Sequence, residues 1–127
     1  MSAPKGLEGI VAAQSSISSI IDDQLTYVGY RIDDLAEKST FEEVVYLLWN
    51  LKLPTKEQLE AFKQQIINEM EIPEGVIEHL RSYDLKSVHP MAALRTGISL
   101  LALYDDEADD MSEEANRRKA IRLQAKV

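Results

Sequence analysis

The spacing of apolar side chains changes once along the chain. Between Gly9 and Tyr30 the good strand formers Ile17, Ile20, Leu25, Tyr27 and Tyr30 sit in short runs. Asp22-Asp23-Gln24 between them has turn composition, which predicts a small β-hairpin. A lone hairpin is marginal in water, so this one is expected to pack on helices. The stretch RIDDLAEKS (31–39) reads as a short helical turn and connector.

From Thr40 the period is helical. Thr40 and Glu43 have the spacing of a capping box in front of FEEVVYLLWNLKL. Val44, Val45, Leu47, Leu48, Trp49 and Leu51 cover more than one face, so this helix is expected to be largely buried. Pro54 breaks it, and Thr55 with Gln58 repeats the capping pattern. Leu59, Phe62, Ile66, Ile67 and Met70 then form one apolar stripe. Pro73 suits the first turn of a short helix carrying Val76, Ile77, Leu80 and Tyr83. Pro90 opens another, running to about Tyr104. After an acidic linker, Ser112 is placed to cap a final helix, SEEANRRKAIRLQAKV. That pattern runs to Val127 without a Gly, Asn or Pro stop, as expected of a cut through a helix. There is no internal repeat and no low-complexity segment. The expected fold class is mainly α with a small N-terminal β-hairpin: 1–30 hairpin segment, 40–127 helices.

Composition narrows the class. A chain of 127 residues with 45% hydrophobic content fits one globular domain and can bury roughly two-thirds of its unfolded surface. With no cysteine there is no disulfide, thiolate metal site or cysteine nucleophile, a pattern compatible with a cytoplasmic location. The first ten residues lack the apolar run of a signal peptide, and no stretch approaches the roughly 18 apolar residues of a membrane span. A net charge of −8 opposes binding to nucleic acid or an anionic membrane.

The candidate chemistry is sparse. His89, one of only two histidines with His79, lies directly before Pro90, which puts it at a helix N-cap. That structural role outweighs catalysis, because no partner acid or base can be placed beside it. Arg95 is either a carboxylate- or phosphate-binding side chain or an arginine on a solvated or subunit-facing surface. Gly97 with Ala92, Ala93 and Ala102 permits a close helix neighbour. The acidic run DDEADD (105–110) fails as a calcium loop of the EF-hand type. Counted from Asp105, the sixth position is Asp110 rather than glycine, and the twelfth is Asn116 rather than glutamate. A solvated acidic loop is expected instead. Arg117, Arg118, Lys119, Arg122 and Lys126 make the last helix basic, with Glu113 and Glu114 at its start complementing the helix dipole. Lacking interleaved aromatics for base stacking, this reads as a charged helix face. Asp22, Asp23, Asp33 and Asp34 read as turn and helix-start residues. No glycine-rich phosphate loop or nucleophile motif is present.

Four segments in order nevertheless carry a resemblance. GLEGIVAAQSSISSIIDDQLTYVGYRIDDLA resembles the amino terminus of bacterial citrate synthases, especially those of Gram-positive bacilli. FEEVVYLLWNLKLPTKEQL, HPMAALRTGIS and ANRRKAIRLQAKV follow as in that family, so the likeness covers Gly6 to Val127. Closely related 2-methylcitrate synthases share much of the pattern. Arg31 departs from the acidic residue often found after the GY pair. The resemblance implies a mostly helical homodimer with large and small domains, of which this chain is the N-terminal part of the large one. It implies an enzyme that condenses acetyl-CoA with oxaloacetate and hydrolyses the product to citrate and CoA, using two histidines and an aspartate and no metal. Several arginines and a further histidine bind the carboxylates. None of those residues maps onto 1–127, so no catalytic, cofactor-binding or metal residue is expected here, and acetyl-CoA is a cosubstrate of the parent enzyme only. His89 matches the family's HPM at a helix start, which is not a catalytic position. The helices near 90–104 and 112–127 are expected to form the dimer contact. Apolar faces uncovered on Phe41 to Leu51 and after Pro90 favour association, by native pairing or by helix exchange. A free-standing helical interaction module is the reading from a different class.

Overall fold

The computed structural model describes residues 11, 13–84 and 86–127. The part of the predicted hairpin segment before Val11 lies outside them. The described residues form a small antiparallel sheet and six α-helices, so the fold is mainly α. The chain divides into two compact units, Met1–Glu60 and Ala61–Val127.

In the first unit, β1 (Ser18–Ile21), β2 (Gln24–Tyr27) and β3 (Tyr30–Arg31) make a sheet of order β1-β2-β3. The expected hairpin therefore gains a third strand. Its cause is a second two-residue turn, Val28-Gly29, that reproduces the backbone of the first. Asp22 and Asp23 have φ of 49° and 59°, and Val28 and Gly29 have 51° and 84°. Two consecutive left-handed residues match the twist of the flanking strands, so both connections are tight reversals. Gln24, expected in the turn, is instead the first residue of β2. Valine is a poor residue for positive φ, which hid this turn from composition. Thr26 is the buried polar residue of the sheet, and its hydroxyl is satisfied by Ser19 Oγ at 2.8 Å.

Helix α1 (Ile32–Lys38) packs against β2 and β3 and buries Leu35. Helix α2 (Phe41–Asn50) begins at the expected capping box: Thr40 N–H donates to Glu43 Oε2 at 2.7 Å, and Glu43 N–H to Thr40 Oγ1 at 3.4 Å. Val45 and Leu47, on opposite sides of the helix, are buried and Phe41 is 68% exposed, while the other residues of the helix are half-buried. The stop comes earlier than Pro54. Leu51 takes the left-handed conformation (φ 56°) and returns its N–H to the Leu47 carbonyl at 2.7 Å.

Helix α3 (Lys56–Asn68) opens on the second capping pair, with Thr55 N–H donating to Gln58 Oε1 at 2.9 Å, and buries Phe62. In the second unit, α4 (Glu74–Arg81) buries Val76. Pro73 precedes its first turn, at the N-cap, because its ψ of 132° is extended and not helical. Helix α5 (Pro90–Leu101) packs on α4 and continues as a single 3-10 turn, Ala102–Tyr104, the predicted end point. Two glycines allow this packing. Gly97 is buried against Leu80, and a Cβ at Gly75 would overlap the Tyr104 hydroxyl. Helix α6 (Glu113–Lys126) completes the unit.

Leu47 is the one large side chain fully removed from solvent among the described residues. Truncating it leaves a cavity as well as losing burial, so Leu47→Ala should lower unfolding stability by about 2–5 kcal/mol, measured by urea denaturation.

Candidate functional site

The polar centre of the second unit lies where the acidic run meets α6. Each about one turn from the next, Arg118, Arg122 and Lys126 share one row of the helix at i, i+4 and i+8. Ser112 starts that helix by accepting the Ala115 N–H on its Oγ at 3.3 Å, and its own N–H donates to Asp110 Oδ1 at 2.8 Å. Helix start and acidic run are thereby one hydrogen-bonded structure.

The run itself is folded back in two turns, Ala108 N–H to Asp105 O and Asp110 N–H to Glu107 O, each 3.0 Å. Asp105 Oδ1 also accepts the Glu107 N–H at 3.0 Å. This places both carboxylates toward α6. Arg118 Nε donates to the two Glu107 oxygens at 3.0 and 3.1 Å, with a further close contact from its Nη2 to Oε1. Arg122 forks onto Asp105, Nε to Oδ2 at 3.0 Å and Nη2 to Oδ1 at 2.8 Å, while Nη2 also reaches Glu107 Oε2 at 2.9 Å. Lys119 Nζ donates to the carbonyls of Ala108 and Asp110 at 3.1 and 2.5 Å. Lys126 Nζ donates to the Glu69 carbonyl at 2.8 Å. Bidentate charge-assisted bonds of this kind are the strong class of polar contact.

The electrostatics follow from the geometry. Hydrogen bonds from Arg118 and then Arg122 hold the Glu107 carboxyl far below its ordinary 4.5, at about 2. Partial burial opposes the charge on Arg122, but its bonds to Asp105 and Glu107 more than offset that, and its pKa is raised. Asp110 is lowered, first by the Ser112 backbone N–H. The expectation of a solvated acidic loop and an independent charged helix face is thus corrected. Four of the charges involved, on Asp105, Glu107, Arg118 and Arg122, neutralise one another, and the two carboxylates among them that a cation would need are occupied by guanidinium groups. Among the described residues no cluster of three His, Cys, Asp or Glu is arranged to hold a metal. Beside this clasp opens a cleft of ≈ 470 Å³, its apolar wall formed by Pro73, Ile98, Leu101 and Leu123 and its polar end by Arg122 and Lys126.

The other candidates fall into structural positions. His89 is the N-cap of α5: its Nδ1 accepts the Met91 N–H at 3.2 Å, and its carbonyl accepts from Ala92 at 2.8 Å. The side chain thus contributes to the cap as well as the backbone. Arg95 is exposed and enters no ion pair among the described residues. His79 meets Tyr83 one helical turn on, Nε2 and the hydroxyl 3.0 Å apart and the rings edge to face. Asp22 and Asp23 form the first turn of the sheet. Asp33 and Asp34 stand in the first turn of α1, paired with Arg31 and Lys38. None of these groups converges on the cleft. What the sequence reading missed is the clasp, although its signal was present: an acidic run followed 11 and 17 residues later by the arginines that bind it.

The family model for "Citrate synthase, C-terminal domain" matches residues 6–127. Citrate synthase 2 of Bacillus subtilis is 65% identical over 127 residues, all of this chain and 34% of its own length. The 2-methylcitrate synthase 1 of Corynebacterium glutamicum is 37% identical over 92% of this chain and 30% of its own. The crystal structure of citrate synthase from Pyrobaculum aerophilum superposes with a TM-score of 0.81 at 32% identity, covering 99% of this chain and 35% of that one. The chain belongs to the citrate synthase family. It spans about a third of the length of the relatives it matches.

Two measurements probe these placements. Glu107 is more acidic folded than unfolded, so its contribution to stability is complete above about 4.5, fades as pH falls, and is gone below about 2. The difference in urea midpoint between the parent and Glu107→Gln should be constant above the upper value and close toward the lower. For the cap, His89→Ala should cost about 0.5–1 kcal/mol in the same assay, while His89→Asn, which keeps an acceptor, should cost less.

Proposed function

We propose that this chain is a structural part of a citrate synthase, the enzyme that joins acetyl-CoA to oxaloacetate and hydrolyses the product to citrate and CoA. The observation that carries the reading is 65% identity to a citrate synthase across the whole of the chain. The lower identity to a 2-methylcitrate synthase, 37%, favours acetyl-CoA over propionyl-CoA as the acyl donor. In this reading the acetyl methyl loses a proton, the enol carbon attacks the oxaloacetate ketone, and water cleaves the thioester. The groups for those steps lie outside residues 1–127. Supporting this, Asp105, Glu107, Arg118 and Arg122 are bound to one another, and His89 uses its acceptor nitrogen on its own helix.

The chain's own contribution is scaffold and subunit contact, in a homodimer formed through the helices near 90–104 and 112–127. Exposed Met91, Leu94 and Leu103 on the first of these support such a contact, since large apolar side chains grouped on one element favour association. A cytoplasmic location accords with the absence of cysteine and with a metabolic acyltransferase.

The 127-residue chain mixed with acetyl-CoA and oxaloacetate should release no free thiol above background. The complete coding sequence should release CoA, and faster with acetyl-CoA than with propionyl-CoA. Rapid release by the 127-residue chain would overturn the placement of the catalytic groups, and a propionyl-CoA preference would transfer the assignment to 2-methylcitrate synthesis.

A further inference from the structure

The sheet of the first unit ends on an unblocked edge. In the order β1-β2-β3, β1 has a neighbour on one side only, and among the described residues no strand covers the other. The register decides which backbone groups face that side. The Ile17 carbonyl accepts the Val28 N–H at 2.8 Å, and Ser19 and Ile21 stand opposite Thr26 and Gln24. Hydrogen-bonded pairs alternate along an antiparallel ladder, so 17, 19 and 21 bond inward to β2. The N–H and C=O of Ser18 and Ile20 therefore point outward.

Natural edges are usually blunted by lysine, proline or a bulge. Here the run from Val11 to Ile21, VAAQSSISSII, holds no charge and no proline. All four residues of β1 are exposed, Ile20 by 73%. On a chain of net charge −8 this is a neutral strip where two like-charged copies can approach.

We propose that β1 is a self-docking edge, which a second copy of this chain extends by adding its own β1 antiparallel to it. A two-fold axis at Ser19 sets Ser18 of each copy opposite Ile20 of the other, the residues whose backbone groups face outward, so each such pairing closes a reciprocal pair of N–H to C=O bonds. Charge selects the antiparallel sense. A parallel pairing would stack the Asp22-Asp23 turns of the two copies, whereas the two-fold arrangement sets each turn beside the exposed Ser15 and Ser16 of its neighbour.

The test is residue-resolved amide hydrogen exchange of the 127-residue chain as a function of concentration, with a charge-swap pair of variants. In the parent, exchange at Ser18 and Ile20 should slow as concentration rises, while Ser19, already bonded to β2, serves as the reference for an intact hairpin. Ser18→Lys with Ile20→Lys sets lysine opposite lysine and should weaken the pairing ~10-fold. Ser18→Glu with Ile20→Lys carries the same strand load but sets opposite charges together, and should restore it. Exchange at Ser18 and Ile20 that ignores concentration would overturn the proposal, even if the chain dimerises through its helices. So would equal behaviour of the two variants.

Discussion

Helix α6 is held in place by charge more than by apolar burial. Among its fourteen residues only Ala115 is fully buried, and its row of cations would repel one another if left to water. The forked bonds of Arg118 and Arg122 to Glu107 and Asp105 supply the missing constraint. They set the rotation of the helix about its axis, because the guanidinium groups donate to the carboxylates in a fixed, planar fork. They also tie down the acidic run, since Asp105 Oδ1 accepts both from Arg122 and from the Glu107 N–H, while Asp110 accepts the Ser112 N–H at the helix start. The cleft beside Leu101 and Leu123 owes its polar end to this arrangement.

That constraint bears on the role of the chain. Side chains committed to a mutual network are poor catalysts, because a catalytic acid or base needs free access to a proton on the substrate. The same commitment makes them good scaffold. Around the clasp, α4 and α5 approach closely at Gly97, and the 3-10 turn brings Tyr104 over Gly75.

Much of the fold was legible from local rules. The capping boxes at Thr40 and Thr55, the N-cap at His89 and the start at Ser112 all depend on contacts three residues or fewer away, which spacing alone displays. The third strand was not legible, because Val28 occupies a positive-φ position that composition assigns to glycine or asparagine. The early stop of α2 at Leu51 was missed for the same reason. The clasp escaped notice because its partners lie 11 and 17 residues apart, beyond any helical or turn period.

The mainly helical class, the order of the elements, the family and the structural role of His89 can be read from the residues in order. Each follows from periodicity, caps or ordered motifs, which are properties of neighbouring residues. What the charges do depends instead on the folded arrangement. Whether Glu107 is solvated, binds a cation or grips Arg118 depends on where a distant helix places its guanidinium, and on the partial loss of water there. The same holds for the edge of β1, whose free backbone groups are identified by the register with β2 and not by any residue in the strand.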